Sequence, residues 1–127
     1  MLKRLMTLTA LTATLSACDF VQRAEQRAEQ GDSLYKAAMD DYRAGRLDAA
    51  LRGFEKAAEK SPANASARFQ LACLLQDSRR DFVGAYCAYR EYLLQQPSSD
   101  KAKLAKDRLA ACEREVAREL AEKYGLA

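Results

Sequence analysis

An all-α fold is predicted, built from repeated helical hairpins and closed by one long helix. Three observations predict it. Glycine and proline are scarce, 5 and 2 in 127 residues, while the strong helix formers Ala, Leu, Glu, Arg and Lys are abundant. Small and aromatic residues recur at an interval of 34 to 35. Within each interval the apolar residues fall three and four apart, the spacing of one helix face. A chain of this length holds one domain.

The N-terminal segment is of a different kind. Met1-Leu2-Lys3-Arg4 is a short positive stretch, and Leu5 to Leu15 is apolar apart from its threonines. As a helix it would be about 16 Å long, roughly half the thickness of a bilayer core. That suits the apolar part of a signal peptide over residues 1–17 and is too short for a transmembrane anchor. Leu15-Ser16-Ala17-Cys18 follows, and these four residues resemble a bacterial lipobox. The resemblance implies cleavage before Cys18, a diacylglyceryl group on its Sγ and acylation of the new amine. An ordinary secretory signal with an incidental cysteine is the alternative. Two or three acyl chains, at about 0.8 kcal/mol per buried methylene, anchor a protein far more firmly than one. The expected location is therefore the cell envelope, lipid-anchored and facing the periplasm. Asp19 resembles an inner-membrane retention signal of some lineages, so which membrane stays open.

Residues 18–33 read as the lipidated cysteine and a polar tether, with Gln22-Arg23-Ala24-Glu25 repeated as Gln26-Arg27-Ala28-Glu29. From Cys18 onward the chain carries 19 Lys and Arg against 18 Asp and Glu, a net charge of +1. Interleaved signs near neutrality lack the basic footprint that nucleic acid requires, so no nucleic-acid partner is expected.

The recurrence occupies residues 34–99. Ala38, Ala50, Phe54, Ala57 and Pro62 correspond to Ala72, Ala85, Tyr89, Tyr92 and Pro97, offset first by 34 and then by 35. One residue is thus inserted between Ala72 and Ala85, where the breakers of Gln76-Asp77-Ser78-Arg79-Arg80-Asp81 lie. Leu34, Ala38, Met39 and Tyr42 form a first stripe, and Gly45 supplies the left-handed residue that ends a helix. Asp48 is the expected cap of the next helix, whose stripe is Ala50, Leu51, Phe54, Ala57 and Ala58. Asn64 is expected to cap a third helix through Leu75, and Ser99 a fifth.

The period, the alanines, the aromatic and the closing proline resemble the tetratricopeptide repeat. The first copy is close to that pattern. The second departs from it at Arg68, at Tyr92 and in lacking the turn glycine. The resemblance implies an α-solenoid of two hairpins whose first helices line a concave groove for a protein or peptide partner. The groove positions are Asp32, Tyr35, Met39, Tyr42 and Arg43, then Ser66, Phe69, Cys73, Gln76 and Asp77. Tyr35, Met39, Tyr42, Arg43, Phe69 and Gln76 are the candidate partner-binding residues; internal packing is the competing role for the aromatic ones. The Lys/Asn clamp that some members use for a terminal carboxylate is not reproduced.

Asp100 to Tyr124 contains neither Gly nor Pro, which allows one helix of about 37 Å capping the repeats over residues 100–127. Its stripe is Ala102, Ala105, Leu109, Cys112, Val116, Leu120 and Tyr124. Two repeats cannot cover its second half. Either the helix bends back over the domain, or Val116, Leu120 and Tyr124 dock on a partner or a second copy, giving a homodimer.

Reactive chemistry is sparse. There is no His, hence no imidazole for general-base catalysis or metal binding at neutral pH. Cys73, Cys87 and Cys112 have no zinc-type spacing and read as small buried hydrophobes, with a Cys73–Cys112 bridge conceivable after export. Asp40-Asp41 and Glu113/Glu115 point apart on a helix and read as solvated faces. No enzyme activity, cofactor or metal is expected. The sequence therefore leads to a tethered protein-interaction module, or alternatively to a fixed structural subunit of an envelope assembly of the outer-membrane-protein insertion, secretion or pilus type.

Overall fold

The computed structural model describes Arg23 and residues 31–126. The expected signal peptide, Cys18 and most of the tether lie outside the described residues. What is described is all-α, with no strand among those residues: α1 (31–43), α2 (Leu47–Lys60), α3 (Ala65–Asp77), α4 (Phe82–Gln95) and α5 (Ala102–Tyr124). No described helix is long and apolar enough to cross a membrane.

Helix boundaries follow from local chemistry. Gly45 has φ +77°, and the backbone bonds Gly45 N to Tyr42 O (3.0 Å) and Arg46 N to Asp41 O (2.9 Å) close α1 as a left-handed C-terminal motif. Asn64 caps α3, its side-chain oxygen accepting from Ala67 N at 3.2 Å. Asp81 does the same for α4 through Gly84 N at 2.9 Å.

Two expected caps are not caps. α2 begins at Leu47 without a side-chain cap, which puts Asp48 inside its first turn, where the carboxylate pairs with Arg79. α5 begins at Ala102, and the Ser99 hydroxyl bonds instead to Tyr92 Oη at 2.7 Å. In both places the helix begins elsewhere, with Arg46 and Lys101 at the cap positions, and the side chain pairs with another side chain. The tether boundary also shifts. Gly31, Asp32 and Ser33 are already helical, Gly31 is buried, and Asp32 accepts from Asn64 Nδ2 at 3.3 Å.

Consecutive helices pack on one another, α2 on α3, α3 on α4 and α4 on α5. α1 joins the stack by setting Ala38, Tyr35 and Met39 against Ala50, Phe54 and Leu74. α3 is the inner helix: Ala67 and Leu74 face the first hairpin, while Ala65, Phe69 and Ala72 face α4 and α5. Alanine at the crossings lets the axes approach, and the large rings fill what remains. Gly53 belongs to the same device: a Cβ there would stand 2.7 Å from Ala38 Cβ, so α1 and α2 approach too closely for any side chain at that position.

Positions one period apart have matching environments. Ala38 and Ala72 are 1% and 0% exposed, and Ala50, Ala85, Phe54 and Tyr89 are each 0%. Tyr35 lies 5.7 Å from Phe54, and Phe69 lies 6.1 Å from Tyr89. Where the second interval lacks the turn glycine, Arg80 adopts φ +52° in its place. Arg68, the other departure, donates to Glu91 Oε2 and to Pro62 O, each at 2.9 Å, and so ties α3 to α4 and to the preceding turn.

Candidate functional site

The six expected partner-binding residues do not form one exposed strip. Phe69 is 5% exposed, its ring packed on Tyr89 and Tyr92 with the Lys101 ammonium 5.0 Å away, so it is a core residue and not a surface anchor. Tyr35 and Met39 are half-buried against the first hairpin. Tyr42 is 44% exposed, and Arg43 is exposed beside Asp40 on its own helix, at 3.7 Å. Two of the rings expected in the groove are consumed by packing within a helix pair, Tyr35 against Phe54 of α2 and Phe69 against Tyr89 and Tyr92 of α4, because large aromatics fill the space that small alanines leave.

Gln76 sits in a polar cluster joining three helices. Its Oε1 accepts from Tyr89 Oη at 2.9 Å and from Arg108 Nη1 at 3.1 Å. Arg108 also meets Asp77 Oδ2 at 3.0 Å, and Cys73 Sγ lies 3.5 Å from the Tyr89 hydroxyl. Burial holds the Tyr89 phenol well above its ordinary pKa of 10.0 despite the nearby guanidinium. Arg108 is raised by its bonds to Asp77 and Tyr89, which outweigh the opposing effect of burial. Burial likewise raises the Cys112 thiol. A neutral phenol, a fixed guanidinium and a protonated thiol position helices; none is poised as a base or nucleophile at neutral pH.

Among the described residues the three cysteines, Cys73, Cys87 and Cys112, are free thiols, so the conceivable Cys73–Cys112 bridge is not formed. Cys112 is buried and Cys73 half-buried, but Cys87 is exposed on the outer face of α4, contrary to the expected buried role. Its four-residue offset from Val83, 59% exposed, places it on the side of α4 that no other described helix covers. Among the described residues no three metal-ligating side chains cluster.

Beside the polar cluster, the α3–α4 turn and the middle of α5 enclose a cleft of about 330 Å³, lined by Gln76, Asp77, Arg80, Phe82, Ala111, Arg114 and Glu115. Sequence reasoning singled out Gln76 and Asp77 but missed Arg80 and Arg114. The available signal was Arg80 itself, which stands 35 residues after Gly45.

α5 is one continuous helix with Gly125 as its left-handed C-cap, φ +65°, so it does not bend back. Its first half is buried through Ala102, Ala105 and Cys112. Val116, expected in the uncovered half, packs against the core instead. Leu120 and Tyr124 are 49% and 63% exposed. The packed face of α5 thus extends one turn beyond Cys112, to Val116. No family model matches the chain, and no curated protein matches it significantly.

Proposed function

We propose that this chain is a lipid-anchored protein-interaction module of the bacterial cell envelope, a tetratricopeptide-like α-solenoid of two hairpins closed by α5. The observation that carries the reading is the equivalence of positions one period apart: matched buried alanines, matched aromatic pairs and two left-handed turn residues, Gly45 and Arg80. Such units bury their apolar faces only against neighbours and leave an extended outer surface for partners. The mechanism is positional. Acyl chains on Cys18 hold the domain at a membrane, where its effective concentration for a neighbouring protein is raised, and Tyr42 and the α3–α5 cleft offer contact. The activity is binding, without a catalytic centre, cofactor or metal.

A fixed structural subunit of an envelope assembly is the second reading. Leu104, Leu120, Tyr124 and Leu126, each 47% exposed or more on or beside α5, favour it. In native cells the wild-type chain is expected in the membrane fraction with an acylated N-terminal Cys18, and Cys18→Ser is expected to remain unprocessed and lose that modification. Normal processing and membrane sedimentation of Cys18→Ser would remove the anchor from the reading. Stoichiometric co-purification with one neighbour would favour the structural subunit over a transient module.

A further inference from the structure

The cleft between the α3–α4 turn and α5 is electrostatically lopsided. Its two carboxylates are already engaged, Asp77 by Arg108 at 3.0 Å and Glu115 by Arg118 at 2.9 Å. Its two outer cations are not: among the described residues neither Arg80 nor Arg114 has a carboxylate within 4.0 Å. The Arg80 guanidinium stands 5.1 Å from the centre of the buried Phe82 ring. That is a cation–π contact, and it engages no N–H group in a hydrogen bond to a carboxylate. Arg80 also occupies a left-handed position at φ +52° that the first hairpin fills with Gly45. A non-glycine residue held there is strained, and such strain concentrates at binding sites.

Resting on the interaction-module reading, we infer that this cleft receives an acidic peptide segment of a partner protein. A side-chain carboxylate of the segment lies between Arg80 and Arg114, and a neighbouring apolar side chain rests on Ala111 and Phe82. Guanidinium groups suit this role because they grip carboxylates bidentately. The volume of about 330 Å³ accommodates a side chain or two and is small for a larger ligand. Ala111 and Phe82, which line the cleft beside the two arginines, decide between a peptide and an anionic membrane surface. A peptide presents a carboxylate and an apolar side chain side by side, whereas a sheet of headgroups presents charge alone at its surface.

The test uses the full-length chain and a fluorescein-labelled octapeptide of alternating Glu and Leu with blocked ends, against its Gln/Leu counterpart, read by anisotropy. The Glu peptide is expected to bind and to weaken with added salt. R80E/R114E is expected to weaken it by about tenfold or more, and the milder R80Q/R114Q by about fivefold, with the cooperative thermal unfolding of wild type retained and its midpoint shifted by a few degrees at most. Equal binding of the Glu and Gln peptides, or of wild type and both double variants, overturns the inference. So does loss of binding to phosphatidylglycerol vesicles or inorganic phosphate in the variants when the peptide itself does not bind. A photo-crosslinking residue at Ala111 and another at Tyr42, used in intact cells, separate this inference from the broader reading. Peptide-chain adducts at Ala111 support the cleft. Adducts at Tyr42 alone overturn the cleft and leave the module standing, and adducts at neither overturn both.

Discussion

Tyr89→Phe removes one oxygen from the centre of the molecule and leaves the ring in place. The hydroxyl is fully buried and donates to Gln76 Oε1 at 2.9 Å, an oxygen that also holds Arg108 at 3.1 Å. Because Gln76 keeps its second donor, the loss at neutral pH is that of one ordinary hydrogen bond, about 1 kcal/mol. Alkali reverses the comparison. The folded phenol is held above its ordinary value of 10.0, so its contribution is complete below pH 10 and is lost as pH rises toward the folded value. At about pH 11 ionisation of that single phenol stabilises the unfolded chain by about 1.4 kcal/mol in the wild type, and by nothing in the variant. The raised Cys112 thiol, with its ordinary value of 9.0, weakens both proteins alike and cancels. Urea unfolding followed by far-ultraviolet circular dichroism between about pH 7 and pH 11 should therefore give stability curves that converge and cross near pH 11. A constant difference across that range, or one that widens with pH, would refute the account of the phenol as buried and neutral.

Gly45→Ala should cost about 1 kcal/mol, because φ is +77° and no atom lies within 4 Å of the added Cβ, so backbone strain acts alone. Arg80→Gly relieves the same strain but frees the unfolded chain and loses the contact with Phe82, so its thermal midpoint should stay within a few degrees of wild type. A costless Gly45→Ala would show that the turn is not left-handed. Val116→Glu should destabilise the fold by about 1–3 kcal/mol, since it sets a carboxylate against the core. Leu120→Glu should change stability by less than about 0.5 kcal/mol. If Leu120 and Tyr124 pair two copies, Leu120→Glu lowers the sedimentation coefficient; an unchanged value removes self-association through α5.

Helix content, the Gly45 turn, the Asn64 cap and the buried alanines were legible because each rests on local geometry: helical spacing, left-handed φ, a side chain within reach of an end. The Asp48 and Ser99 caps are not formed because α2 begins at Leu47 and α5 at Ala102, and these side chains pair with Arg79 and Tyr92, 31 and 7 positions away. For Phe69 the repeat resemblance leaves groove anchor and internal packing both open, because a position within a repeat names a helix face and not whether another helix covers it; the structure decides for packing. Gly53 offered a sign that went unused, since a glycine inside a strong helical run implies a close approach.

The order of residues alone determined that the chain folds as helices, where most of them turn, and that the unit recurs after 34 or 35 positions. These are decided within one or two helical turns, where steric and hydrogen-bonding preferences act on neighbours in the chain. Tertiary structure alone decided that α3 is covered on both sides, that Val116 is core while Leu120 is not, and that Arg80 and Arg114 share one cleft. Those outcomes depend on which surfaces meet across three helices. Packing density and charge pairing set them, between groups far apart in the chain, such as Ala38 with Leu74 and Ala65 with Cys112.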